Sequence, residues 1–354
     1  MKVGLIGLPG AGKSSLFKLL TGTDSQATAT RSHSALAAVP DARLDALVGL
    51  YSPPKITPAT FEVVDMPSML PGSEGAATAR VLETIADADA FLHVVRAFKV
   101  GAPHPLGDID PRRDAATLTD ELLLADWSLI TTRLERLQSS RKRPPNHAQE
   151  SAFFSHLSDH LEQHGNLEGL AFDDEQAGLL RQYPLFTLKP ALLLLNIAED
   201  QIGSPPEDLV PGLDQWAADH RAPVVMVSAQ VESEIALLGP EDRPAFMEEL
   251  GLAEPGTVRV ATGAYHLLDR ISFLTAGPKE VRAWSIPSQS TAKRAGRAIH
   301  SDIERGFIRA EVVSCPDLLA AGSMAEARKQ GTVRLEGRKY IVQDGDVIEF
   351  LFNV

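Results

Sequence analysis

Lys2-Val3-Gly4-Leu5-Ile6 runs straight into Gly7-Leu8-Pro9-Gly10-Ala11-Gly12-Lys13-Ser14, and Ser15-Leu16-Phe17-Lys18-Leu19-Leu20 follows. A short apolar run, a glycine-rich bend and a segment with helical apolar spacing from Lys13 to Leu20 read as strand, loop, helix. The bend matches G-x-x-x-x-G-K-[ST] at every position. Glycines there let backbone N–H groups turn inward around phosphate oxygens, and the N-terminus of the following helix favours negative charge. Leu8, Pro9, Gly10, Ala11, Gly12, Lys13, Ser14 and Ser15 are therefore the candidate phosphate cradle. Lys13 would reach the β- and γ-phosphates, and the Ser14 hydroxyl would ligand Mg²⁺. The bland alternative is a glycine turn beside a surface lysine. A second acid at the metal is expected from a neighbouring strand, and Phe61-Glu62-Val63-Val64 ends in Asp65. Asp65 is the candidate partner of Ser14 at Mg²⁺.

Moving outward, Phe91–Val95, Ala191–Leu195 and Pro223–Val227 are apolar throughout, as strands covered on both faces should be. Helical patterns lie between them, so residues 1–110 and 189–270 read as two parts of one parallel α/β domain. Residues 111–188 break the alternation. Two long helical patterns, Asp114–Gln138 and His147–Gln163, are joined there by the linker SSRKRPPN, which predicts an inserted helical hairpin. Leu118, Leu122, Ala125, Leu129, Thr132 and Leu137 form its expected apolar stripe. Residues 271–354 carry β-like runs at Val281–Ile286, Phe307–Val313, Thr332–Leu335, Tyr340–Val342 and Val347–Phe352, separated by Gly and Asp turns. A small α+β module is expected there.

Composition agrees with a folded, water-soluble chain: 354 residues, 44% hydrophobic, 23% charged. No run approaches the roughly 18 apolar residues of a membrane span, and the early glycine turn argues against a signal peptide. Cys315 stands alone, which excludes a disulfide framework and a multi-cysteine zinc site. A cytoplasmic location is the expectation, with no membrane association. The formal charge of −13 disfavours wholesale binding to nucleic acid, DNA included. The charge is uneven: about +2 from Phe273 to Val354 and about −15 before it, which hints at a separate C-terminal module.

Asn196-Ile197-Ala198-Glu199 follows the Ala191–Leu195 run, at the place where GTPases carry Asn-Lys-x-Asp. There the aspartate accepts hydrogen bonds from guanine. Adenine presents an acceptor where guanine presents a donor, so a carboxylate at that point gains no partner from it, and a longer Glu that swings aside relaxes guanine selection. Asn196 and Glu199 are the candidate base contacts. Val227-Ser228-Ala229 resembles the loop that closes over the base, adding Ser228 and Ala229.

With these in place the chain resembles the Obg-like ATPase (YchF) family, a branch of the translation-factor-like GTPases. The resemblance rests on GLPGAGKSSLF, VPDARLD, PATFEVVD, HVVRAF, DIDPRRD and NIAE. FLTAGPKEVRAW, HSDIERGFIRAEVVS and LEGRKYIVQDGDVIEFLFNV extend it to the C-terminus. It implies a P-loop NTPase sheet, an inserted α-helical arm and a C-terminal TGS-like β-grasp domain. It further implies hydrolysis of ATP, or more weakly GTP, with Mg²⁺, a ribosomal partner, and RNA contact through the arm and the TGS-like domain.

Met69 occupies the place where ordinary GTPases keep a water-orienting Gln, and a hydrophobic residue there suits the family. Lys13 and Met69 are thus the catalytic positions, with no side chain nominated as general base. Where the family usually reads Asp-x-Ala-Gly-Leu, this chain reads Asp65-Met66-Pro67-Ser68-Met69. Ser68 replaces a glycine expected near the γ-phosphate, and its Cβ would hinder loop closure. Thr28, Ala29 and Thr30 lie where a first-switch metal ligand is sought. Two other readings stay open: a nucleotide-sensing ribosome-binding adaptor with little hydrolysis, and a GTP-selective GTPase. Arg141-Lys142-Arg143 and Lys293, Arg294 and Arg297 are candidate basic contacts, or solvated faces. His93 reads as a hydrogen-bonded core histidine, His300 as a cap or surface residue and Cys315 as a packed small residue.

Overall fold

The computed structural model describes residues 1–28, 31–72, 76–99, 101, 103–140 and 145–353. Its strands are β1 (Lys2–Ile6), β2 (His33–Ala38), β3 (Ile56–Thr57), β4 (Thr60–Asp65), β5 (Ala90–Arg96) and β6 (Ala191–Asn196), then β7 (Val224–Val227), β8 (Arg270–Ala276), β9 (Val281–Pro287), β10 (Phe307–Ser314), β11 (Arg334–Glu336) and β12 (Asp346–Phe352). Two compact units result. One comprises Met1–Ala35 and Glu62–Val260, the other Leu36–Phe61 and Ala261–Val354.

The first sheet runs β2-β4-β1-β5-β6-β7. The pairs β1–β4, β1–β5, β5–β6 and β6–β7 are all parallel. Every residue of β5 is buried, as are Leu192 to Asn196 of β6, which is why these segments read as continuous apolar runs. The register matters for function. Leu5 lies opposite Asp65, Arg96 opposite Asn196, and Asn196 opposite Val227. The carboxyl ends of five strands therefore finish along one edge, the usual place for a ligand crevice in an open α/β sheet.

The helical hairpin forms as expected, over Pro111–Ser139 and His147–His164. Asp110 caps the first helix by accepting from the Arg113 N–H at 3.0 Å, and Pro111 starts it without wasting a donor. Ile130, Leu137, Phe153, Phe154, Leu157 and Leu161 build its core. The buried stripe differs from the expected one. It steps by four through Leu118, Leu122, Asp126 and Ile130, and Thr132 is exposed. A buried carboxylate broke the hydrophobic pattern: Asp126 accepts the Phe186 N–H (2.6 Å), the Thr187 N–H (2.9 Å) and the Thr187 hydroxyl (2.7 Å).

The second unit holds a mixed sheet in the order β11-β10-β12-β8-β9-β3, with short helices at Ala292–Ile299, Ser301–Arg305, Cys315–Ala321 and Met324–Gln330. Phe273, Ile286, Ala295, Phe307, Val312 and Ile348 fill its core. Two local expectations shift. Tyr340–Val342 contributes only a bridge from Ile341 to Thr291, and the strand expected at Thr332–Leu335 is Arg334–Glu336. Residues Leu36–Phe61, which the sequence reading left with the P-loop segment, group with this unit. β3 pairs with β9, and Arg43 bridges Asp41 and Asp344 at 2.8 Å each. His300 caps Ser301–Arg305 by accepting the Asp302 N–H, and Cys315 is buried.

Candidate nucleotide site

β1 delivers the chain into the Gly7–Gly12 bend, and helix Lys13–Thr21 begins at once. Two of the glycines are sterically required. Gly7 (φ +155°) would place a Cβ 2.4 Å from the Val94 carbonyl oxygen, and Gly12 (φ +100°) would place one 2.2 Å from Asn196 Nδ2. Neither position admits an L side chain without moving its neighbour. Leu8 and Ala11 are buried, Pro9 half-buried and Gly10 exposed; Ser14 and Ser15 at the helix start are exposed.

Lys13 is 6% exposed. Its ammonium donates to the carbonyls of Gly7 (2.9 Å) and Leu8 (3.1 Å) and to Ser68 Oγ (2.7 Å). Burial pushes its pKa down to about 8, against the opposing attraction of the Asp65 carboxylate. Ser68 thus holds this lysine through its hydroxyl.

Ser14 Oγ donates to Asp65 Oδ2 at 2.7 Å, and Ser25 Oγ donates to the same oxygen at 2.6 Å. Asp65 is 1% exposed. The sequence-predicted metal pair is thus assembled, with Ser25 as an addition the motif did not reveal. A hydroxyl and a carboxylate are hard oxygen donors of the kind Mg²⁺ accepts, the ion taking its remaining ligands from water and phosphate. The donor set and the glycine-lined bend both fit a magnesium-bound polyphosphate. Thr28 forms an isolated bridge with Arg31, and Ala29 and Thr30 fall outside the described residues. The Arg141-Lys142-Arg143 tip also lies outside them.

Asn196 is buried and ties two loops together. Its Nδ2 donates to the Ala11 carbonyl at 3.0 Å, and its Oδ1 accepts the Ala229 N–H at 3.1 Å. Ser228 is buried and caps helix Ala229–Leu237. Glu199 starts the short 3₁₀ turn Glu199–Gln201 and is exposed. The four candidate base contacts therefore lie at the carboxyl ends of β6 and β7 and just beyond them, along the edge that carries the phosphate bend. Met69 is placed differently: it packs with Ile6, Met66, Ile85 and Leu118 in an apolar cluster, so its side chain belongs to the core beneath the loop after β4.

Two further groups escaped the sequence reading. Arg96 ends β5, buried, with Nε donating to the Phe98 carbonyl at 3.0 Å. His104 Nδ1 accepts the Leu106 N–H, so its Nε2 carries the proton and donates to Asp114 Oδ2 at 2.7 Å. Both residues border Leu8, Pro9 and Ala11. Only their order after a buried strand hinted at them.

A parallel sheet whose first strand opens into this glycine bend, with Ser14 and Asp65 joined beside it, defines a P-loop GTPase fold. Residues 2–125 match the family described as 50S ribosome-binding GTPase, and residues 270–353 match the YchF GTPase C-terminal family, described as a protein of unknown function. The chain is 39% identical to the Ribosome-binding ATPase YchF of Bacillus subtilis, with all of both chains covered. It is 37% identical to the protein of that name from Escherichia coli O157:H7, over 100% of this chain and 99% of the other. The solved Schizosaccharomyces pombe YchF GTPase covers 99% of this chain and 97% of its own, with a TM-score of 0.83 at 24% identity. The chain belongs to the YchF family.

Proposed function

We propose that this protein is a Mg²⁺-dependent NTPase that takes ATP in preference to GTP and acts at the ribosome, in the cytoplasm. The observation that carries the reading is the assembled loop: Lys13 buried within the glycine bend, and Ser14 joined to Asp65 beside it. On nucleotide binding, Lys13 exchanges its carbonyl partners for phosphate oxygens. Ser14 and Asp65 would hold Mg²⁺, which would supply charge neutralisation to the bound phosphates. Asn196, Ser228 and Ala229 hold the base-side loops, and Glu199 at the aspartate position of GTPases relaxes guanine selection. The ribosomal assignment is supported by the names of the full-length relatives. No helix among the described residues is long and apolar enough to cross a membrane. We assign partner contact to the helical arm of residues 111–188 and to the TGS-like module of residues 271–354. In that module Lys293, Arg294 and Arg297 are exposed on one helix.

The test is a titration of ATP and GTP with and without Mg²⁺, followed by hydrolysis assays with ribosomes present. The expected result is tighter ATP binding and turnover that Lys13→Ala abolishes. Equal turnover by wild type and Lys13→Ala would defeat the enzymatic reading, and a large GTP preference would defeat the base assignment. A second reading, a nucleotide-sensing adaptor with little hydrolysis, draws on Met69: its side chain is buried in the core and has no group to polarise water. ATP binding without ribosome-stimulated turnover selects that reading.

A further inference from the structure

A cavity of about 460 Å³ lies within the first unit, against the sheet face that carries Phe91 and His93 of β5 and Leu193 of β6. Leu122 and Leu170 of the helical insertion and Trp216 of helix Leu213–Asp219 close around it. Close-packed interiors leave few voids larger than a water molecule. A mostly apolar space of this size falls instead in the roughly 300–1,000 Å³ range of small-molecule sites.

Its polar lining is selective. Thr119 Oγ1 is committed to the Ala115 carbonyl at 3.0 Å, and Thr187 Oγ1 to Asp126 at 2.7 Å. Lys189 Nζ spends its three protons on the carbonyls of Ile85, Ala86 and Ala88. Asp120, Glu168 and Arg221 are exposed and mark the rim. His93 is different. It is 5% exposed and stands edge-on to Trp216 with ring centroids 6.4 Å apart, and neither ring nitrogen has a hydrogen-bond partner among the described residues. Burial drives its pKa down to about 3, so at neutral pH the ring is uncharged and offers one N–H donor and one bare nitrogen acceptor. Neither nitrogen is sealed from water, so an occupant of the cavity replaces water as their hydrogen-bond partner.

We propose that this cavity binds an uncharged, planar heteroaromatic small molecule, lodged among Phe91, Phe186 and Trp216, whose ring is itself stacked on His220 at 4.2 Å, and hydrogen-bonded to His93. A charged ligand would find no uncommitted opposite charge at depth and would lose its hydration. Ile6, which lies opposite His93 and directly precedes the phosphate bend, forms part of the wall. An occupant therefore rests against the strand that leads into Gly7.

Benzimidazole, which carries one ring N–H and one ring nitrogen acceptor, is the probe. Full-length protein should bind one equivalent saturably, with Kd on the order of 0.1–1 mM, and the indole N–H signal of Trp216 should shift while that of Trp284 stays fixed. His93→Leu should weaken benzimidazole at least fivefold while toluene still binds, and Leu170→Trp should fill the space and weaken both probes. Absence of saturable binding to the wild type, or a Trp216 signal that does not move, overturns the proposal without reference to either variant. Undiminished binding in both folded variants overturns it as well. ATP titrations run in parallel keep the two readings separate, because an empty cavity leaves nucleotide affinity untouched.

Discussion

Lys13 is an ammonium held almost out of water, and its hydrogen-bond partners are two carbonyls and a serine hydroxyl rather than a carboxylate. Its folded-state pKa of about 8 lies below the usual lysine value. The ligand-free protein therefore releases this proton earlier than the unfolded chain does, and its stability gains as pH climbs from 8 toward 10.5. Nucleotide binding runs the other way. Phosphate oxygens favour the charged form, so binding above pH 8 takes up a proton, and ATP affinity should be flat below pH 8 and fall up to about tenfold per pH unit above it. Calorimetric titrations at three pH values from 7 to 9.5 check this, and a level profile would contradict it. At this scale Lys13, Ser14 and Asp65 were legible in the sequence because phosphate and magnesium chemistry demands those residue types at that spacing. Ser25 was not, because its hydrogen bond to Asp65 spans a loop with no motif of its own.

Helices and strands show which patterns survive translation into packing. The β5 and β6 strands were read from unbroken apolar runs, and both are buried nearly throughout. Helical spacing places the arm helices, yet the apolar stripe it predicts passes over Asp126, because a periodicity count treats a buried carboxylate as a surface residue. Its three donors tie helix Pro111–Ser139 to the Phe186–Thr187 segment that leads into β6. Burial raises the Asp126 pKa to about 6, with the three hydrogen bonds opposing the rise. Folding thus favours its neutral form, and the proton-linked part of its contribution to stability is fullest below about pH 4 and lost as pH rises through 6, while the hydrogen bonds it accepts remain. Asp126→Ala leaves the buried Phe186 amide and the half-buried Thr187 amide and hydroxyl without their acceptor, a loss of about 2–4 kcal/mol. Denaturant unfolding at pH 7 measures it, and hydrogen exchange should show faster loss at the amides of Phe186 and Thr187 first. A change below about 0.5 kcal/mol would mean that water replaces the carboxylate at no cost.

For the molecule as a whole, nucleotide binding and folding are linked. ATP with Mg²⁺ at a hundredfold excess over Kd should add about 2.7 kcal/mol to the unit that contains the loop and raise its thermal midpoint by roughly 5–10 °C. Lys13→Ala should show no such rise in calorimetry, and an equal rise in both proteins would place the nucleotide elsewhere. Local chemistry and periodicity were enough to determine the P-loop, the parallel α/β class, the inserted hairpin and a separate α+β end, because each depends on neighbours within about one element. Tertiary structure alone decided that Leu36–Phe61 joins the C-terminal residues, through β3 beside β9 and Arg43 on Asp344. It also decided that Asn196 ties the phosphate bend to the Ser228-Ala229 loop, that Met69 turns into the core, and that His93 faces a cavity. Each of these rests on contacts between residues far apart in the chain, and no short window of sequence encodes which distant partner a side chain will meet.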